Sequence, residues 1–353
     1  MRPEALPFRS CRVGALGAFL LALAPPCLGQ SPAAPPAGPR APRVPRVAEV
    51  SIQINSITDI DSARETFRGD VYLTLRWHDP ALADPGKADW SKARRPSIEF
   101  MNSQDAGVLG NEAPEVESPG IGFSETRYAG TFSSRMDLED FPFDEQILSL
   151  DLESQTETAD KLVFFFRPNK GAAVDVRGRK VTLPKETVLG NEIHMPEWTI
   201  TGADVSEHTQ VYYTGTQPYS HLRFELKIDR RVGYYVWKIM AVLVMIVVLS
   251  WGVFVIHPAD IGNRMAVSIT LLLAAVAFAY VTGSLIPRVS YLTLLDVYVL
   301  GCYVLLFLAP VESLFAHLLH ARDERRARRL DHLALAWFPI VFLLLHLFIW
   351  ARS

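Results

Sequence analysis

The sequence predicts an immunoglobulin-like β-sandwich followed by a four-helix transmembrane bundle. Three observations carry that expectation. Short runs of alternating apolar and polar residues fill the middle of the chain, four long apolar runs fill its last third, and an acidic surplus is confined to the middle. Of 353 residues, 49% are hydrophobic and only 21% charged, which excludes a disordered chain and leans toward a membrane protein. The formal charge of −3 conceals a split. Residues 48–229 hold 18 basic and 31 acidic side chains, a net of −13, which suits a cationic partner or solute rather than nucleic acid.

Residues 1–29 read as a signal peptide. Arg2, Arg9 and Arg12 precede the apolar stretch Val13 to Ala24, and Cys27-Leu28-Gly29 offers small residues near a cut. Twelve apolar residues are too few to cross a bilayer. A lipid-anchored Cys27 is the rival reading, disfavoured because Pro26 stands where a small residue is wanted. Residues 30–48 are rich in Pro, Ala and Arg and read as an extended linker. Removing the signal leaves Cys302 alone, so no intrachain disulfide framework is available.

Residues 49–230 read as the extracellular β-sandwich. Val50 to Ile54, Val71 to Trp77, Ile147 to Leu152 and His221 to Ile228 alternate with period two, and about ten such runs are separated by Gly, Pro, Asp and Asn. No nucleotide loop or nucleophile elbow interrupts them, and the histidines lack ligand spacing, so neither an enzyme nor a cofactor or metal site is expected.

Residues 231–353 read as the membrane domain, with helices expected at about 234–256, 261–285, 290–317 and 331–350. Each covers roughly 30 Å at about 1.5 Å per residue. The Arg-rich segment 322–329 reads as a cytoplasmic loop between the third and fourth spans, which places both mature termini outside. In the second span Ala266, Thr270, Leu273, Ala277, Tyr280 and Ser284 recur at a mean step of 3.6 residues. Such a stripe suits a pore lined by several copies, with hydroxyls touching water and bulky rings closing the path. It equally suits close helix packing.

Several strings in order resemble the pentameric ligand-gated ion channels of the Cys-loop type, the bacterial branch in particular. Phe141-Pro142-Phe143-Asp144-Glu145-Gln146 is similar to the signature loop, with Ser134 and Leu148 where animal members carry the bridging cysteines. Trp77-His78-Asp79, Arg230 to Tyr235, Pro258 to Arg264 and Leu285 to Arg288 resemble further family motifs, and the likeness covers residues 49–350. The resemblance implies a homopentamer with the second span lining the pore, in a bacterial inner membrane.

The strongest likeness is to an amine-gated bacterial member with a short intracellular loop, and it implies a small-molecule agonist of the primary-amine class held between subunits. Pro96 to Phe100 resembles one binding loop and carries over Pro96 and Glu99; Leu152 to Gln155 resembles another and carries over Glu153, with Gln155 replacing an aromatic. Tyr212, Tyr213 and Tyr219 supply the capping aromatics. Carboxylates and tyrosine faces suit an ammonium group.

Asn263 stands where cation channels of the family carry an acid, Asp260 lies three residues earlier, and the Pro-Ala-Arg turn of anion channels is absent. Monovalent cations are therefore the expected permeant ions, with weaker discrimination than is typical. The same likeness places Asp59, Asp61, Pro142, Asp144, Arg230 and Pro287 at the gating junction, with Asp144 and Arg230 as a buried pair. Alternatives are a proton- or divalent-modulated channel of this fold and a sensor receptor without a pore. A small transporter would need internal repeats, which the sequence lacks.

Overall fold

In the computed structural model, described residues run from 44 to 352, excepting 85, 87, 170, 191–192, 213–216 and 284–285. The signal segment 1–29, most of the linker, Tyr213 and Ser284 lie outside the described residues.

The alternating runs become two stacked sheets. The strands are β1 (Arg46–Asp61), β2 (Thr66–His78), β3 (Ile98–Phe100), β4 (Gly107–Asn111), β5 (Glu115–Ser118), β6 (Ile121–Ser133), β7 (Glu145–Ser154), β8 (Leu162–Phe166), β9 (Lys180–Leu183), β10 (Trp198–Val211) and β11 (Pro218–Arg230). One sheet runs β4-β6-β2-β1-β8 with β5 also on β6, and the other runs β3-β7-β11-β10-β9. Only the β1–β8 pairing is parallel among the described ladders. Inward residues of the two sheets, among them Val50, Ile52, Leu73, Leu150, Phe164 and Phe224, form one apolar core. The linker expected to reach residue 48 ends sooner, because Arg46 to Val50 pair with Leu162 to Phe166 and are drawn into β1.

Four helices long and apolar enough to cross a membrane follow: α1 (Gly233–Val255), α2 (Ile261–Thr282), α3 (Leu294–His320) and α4 (Glu324–Arg352). Their boundaries differ from the expected ones where capping intervenes. α3 begins at Leu294 rather than 290, because Thr293 and Asp296 form a reciprocal capping box. Asp296, an acid inside an apolar run, is thereby spent on two hydrogen bonds from Thr293, through its backbone N–H and its hydroxyl.

The Arg-rich stretch 322–329 is a correction. It is not a loop, since α4 starts at Glu324 rather than 331. Asp323 accepts the Arg326 backbone N–H at 3.1 Å, and Glu324 pairs with Arg328 one turn on, so local capping and an i,i+4 ion pair extend the helix. The link from α3 to α4 shrinks to residues 321–323.

The signature segment joins the two parts. Leu138 and Phe141 are buried in the helical core rather than in the sandwich, beside Tyr235, Leu294 and Leu295. Backbone N–H groups of Leu294 and Leu295 donate to the carbonyls of Glu139 and Phe141 at 2.8 and 3.0 Å. Arg352 at the far end of α4 meets Asp140 at 2.8 Å, so the C-terminal end of the bundle lies beside the β-domain.

Candidate functional site

Strand register assembles the site. Glu99 of β3 is opposite Glu153 of β7, Glu153 opposite His221 of β11, and His221 opposite His208 of β10. Directly opposed residues share a face, so the four side chains form one row across the sheet, roughly 15 Å long at about 4.8 Å per strand.

Glu153 is the centre of that row. Its carboxylate accepts the Tyr212 hydroxyl at 2.8 Å and lies 3.4 Å from His221 Nδ1. Burial, then the Glu153 carboxylate, push the Tyr212 phenol up to about 12, so it stays a neutral donor. The ring of Tyr219 meets that of Tyr212 edge-on, with centroids 6.0 Å apart. Gln155, in the place of an expected aromatic, ties two loops together: its amide donates to Glu99 at 2.9 Å and accepts from the Ser97 hydroxyl at 2.7 Å. Pro96 is buried just before that loop. Tyr213 falls outside the described residues.

Two histidines escaped the sequence reading. His208 and His221 are thirteen residues apart, yet hairpin register brings their rings to 4.6 Å. His221 is buried between Glu153 and Asp151, whose carboxylate lies 3.5 Å from Nε2. Burial, and then His221 itself, hold His208 below its ordinary value. Burial lifts the Asp151 carboxyl, but hydrogen bonds from His221 and Arg223 outweigh it and leave the group lowered. The available signal was the polar alternation His221, Arg223, Glu225, Lys227, which marks the outward face of β11. Among the described residues no group of three His, Cys, Asp or Glu side chains is placed to hold a metal ion.

On α2 the stripe Ala266, Thr270, Leu273, Ala277 and Tyr280 is exposed in the single chain, with Leu273 at 66% and Tyr280 at 88%. The opposite face buries Arg264, Ser268, Ala275 and Thr282 against the bundle. Asp260 caps α2 and accepts the Asn263 side-chain amide at 2.7 Å. Both are exposed. Arg264 turns away from them. It is fully buried, donates to Asp331 through two bonds of 2.8 Å, and also donates to the Ile256 carbonyl.

At the junction, Arg230 donates to both Asp144 oxygens at 2.7 and 3.0 Å and to the Ser62 hydroxyl at 3.1 Å. Its guanidinium lies 4.1 Å from the Trp198 ring centroid and 4.8 Å from that of Phe141. Asp61 accepts two backbone N–H groups in the β1–β2 turn, and Asp59 adopts φ of 50° and lines a hollow with Trp198. Pro142 is buried behind Phe141, and Pro287 is half-buried in the α2–α3 connection. Ser134, in the place of a bridging cysteine, instead bonds the Ile147 carbonyl at 2.6 Å.

The arrangement can be placed among known proteins. The sequence pattern described as the neurotransmitter-gated ion-channel ligand binding domain matches residues 36–232, and that of the neurotransmitter-gated ion-channel transmembrane region matches 243–329. The chain belongs to the neurotransmitter-gated ion-channel family. Members of this family are ligand-gated, multi-pass membrane channels rather than enzymes, and pentameric assembly is typical of them. A curated relative is the gamma-aminobutyric acid receptor subunit beta-4 of Gallus gallus, 26% identical over 295 residues. That alignment covers 79% of this chain and 57% of the relative, so the chain spans little more than half the relative's length.

Proposed function

We propose that this ligand-gated channel is a cation-selective homopentamer opened by a small amine bound between subunits, with α2 lining the pore. The observation that carries this reading is the row of Glu99 and Glu153 beside the Tyr212 and Tyr219 rings. Two carboxylates set a negative field, and tyrosine faces add cation–π attraction of about 0.5–2 kcal/mol per ring. The ligand in the relative's name, γ-aminobutyric acid, also carries an ammonium group.

Cation selectivity rests on where charge lies at the end of α2. Arg264 is withdrawn into the bundle and neutralised by Asp331, while Asp260 and Asn263 remain exposed at the helix start. The acidic surplus of the outer domain further enriches cations at the mouth. The missing acid at Asn263 implies modest discrimination. Ser134 and Leu148 in place of cysteines, and the three-residue link from α3 to α4, support the bacterial branch. The membrane is then a bacterial plasma membrane, with the β-domain and both mature termini on its extracytoplasmic side.

Voltage clamp of the expressed protein, perfused with primary amines including γ-aminobutyric acid, tests this. The expected current reverses near the cation equilibrium potential and is lost in Glu153→Ala. Reversal at the anion equilibrium potential would overturn the selectivity. A second reading, opening by protons, is favoured by His221 lying between two carboxylates. Current evoked by acid and by no amine would select it.

A further inference from the structure

His221 occupies a place in the row that a neutral ring cannot satisfy. It is buried, with Nδ1 3.4 Å from Glu153 and Nε2 3.5 Å from Asp151. A neutral imidazole has one N–H and one lone pair, whereas an ionised carboxylate only accepts. The neutral ring therefore turns a lone pair toward one of the two acids, and only the imidazolium donates to both.

The charges around the ring decide which acid that proton serves. Asp151 already has a cation, since Arg223 donates to both its oxygens at 2.7 and 3.0 Å. Glu153 has none. Its Oε2 accepts the neutral Tyr212 hydroxyl and faces His221, and its Oε1 accepts no hydrogen bond from any described residue. Glu99, next along the row, receives the neutral Gln155 amide. The His208 ring, 4.6 Å away on β10, is held below its ordinary value by burial and then by His221, which makes it the poorer carrier of a proton. Glu207 of β10 and Ser220 of β11 belong to the opposite face, where they bond each other at 2.7 Å. With His221 neutral, the row presents two uncompensated carboxylates; with His221 protonated, it presents one.

The ammonium of an agonist and the proton of His221 are thus two cations directed at the same carboxylate. We propose that His221 is a positioning residue of the amine site: its proton holds Glu153 while the site is empty and leaves when the ammonium arrives. The inference rests on the amine reading above, and it makes acid an antagonist of the amine. Two unit charges roughly 5 Å apart at an effective dielectric of about 20 repel by enough to change an affinity about a hundredfold or more, so the two occupants nearly exclude each other. Linkage is reciprocal. If the amine drives the proton off, each added pH unit of acidity weakens the amine by up to about tenfold once His221 is protonated. An alkylammonium, like that of lysine, keeps its own proton up to about pH 10, so a dependence between about pH 6 and pH 8 belongs to the protein.

Isothermal titration calorimetry of the full-length assembly with n-butylamine, in two buffers of different ionisation heat, counts the protons exchanged on binding. The unsubstituted protein should release a proton as the amine binds near pH 6, and its affinity should rise about tenfold or more from pH 6 to pH 8. His221→Gln should abolish the release and flatten the affinity across that range, a loss that a merely structural role would not produce. His208→Gln should keep both. Binding without proton release would overturn the proposal and leave the amine reading in place, as would a release that survives His221→Gln or vanishes in His208→Gln. Absence of amine binding at every pH would overturn the amine reading and this inference with it. Should His221→Gln not assemble, the His208→Gln protein decides: release retained there supports His221 as its source, and release lost there overturns it.

Discussion

At the residue scale, the chemistry of the proposed agonist row turns on one carboxylate. Tyr212 is the neutral donor that fixes Glu153, so Tyr212→Phe loosens the acid without moving its charge. A hydrogen bond to a charged group contributes about 1.5–3 kcal/mol, reduced here by solvent, and we expect the half-maximal amine concentration to rise about tenfold. Dose–response currents check this, and an unchanged value would detach Tyr212 from the site. Glu207 makes a different prediction. It is buried on the inner face of β10, held by the Ser220 hydroxyl at 2.7 Å, and burial raises its carboxyl above the ordinary value of 4.5. A raised carboxyl contributes its stabilisation below pH 4.5 and loses it as the pH climbs through the raised value. Glu207→Gln keeps an acceptor for Ser220 and removes the charge. Its melting temperature should exceed the parent's by a few degrees at pH 7.5, with the gap closing in acid; thermal unfolding at both pH values measures it.

At the element scale, α2 is a helix of two faces. The buried face is held by Arg264, Ser268, Ala275 and Thr282, while Leu273 and Tyr280 project outward. If five copies meet around an axis, Tyr280 forms a ring of side chains at the end nearer the β-domain. Tyr280→Ala should then widen the path and give resting current or a conductance increased several-fold; single-channel recording checks it, and wild-type conductance would assign Tyr280 to packing. The period of this stripe was legible in the sequence because 3.6-residue spacing is a local property. Its function was not, since pore lining and helix packing demand the same small and hydroxylated residues. The caps of α3 and α4 have a local signature in Thr293-x-x-Asp296 and Asp323, but these polar residues adjoin apolar runs whose hydropathy does not mark where a helix begins.

At the scale of the whole molecule, the β-domain and the bundle share a buried seam. Leu138 donates its backbone N–H to the Tyr291 hydroxyl at 3.0 Å, and Arg230 is enclosed by Asp144, Ser62, Trp198 and Phe141. Breaking such a buried pair from one side costs about 3–5 kcal/mol, which would impair folding as well as gating. Tyr291→Phe is the gentler probe. It leaves one backbone N–H without its acceptor, a cost of about 1–3 kcal/mol, and should lower the maximal open probability while agonist affinity stays unchanged. Paired binding and current measurements separate the two, and equal maximal currents would remove this bond from the coupling path. The sequence by itself determined the two-part architecture, the four apolar spans and the acidic β-domain, because periodicity, apolar length and charge distribution are properties of the chain. Only the tertiary structure decided that His208 and His221 join Glu153 and that Arg264 is neutralised by Asp331 away from the exposed helix start. Each depends on strand register or on helix packing between residues 13 to 68 positions apart, and no local pattern in the chain encodes which side chains those contacts bring together.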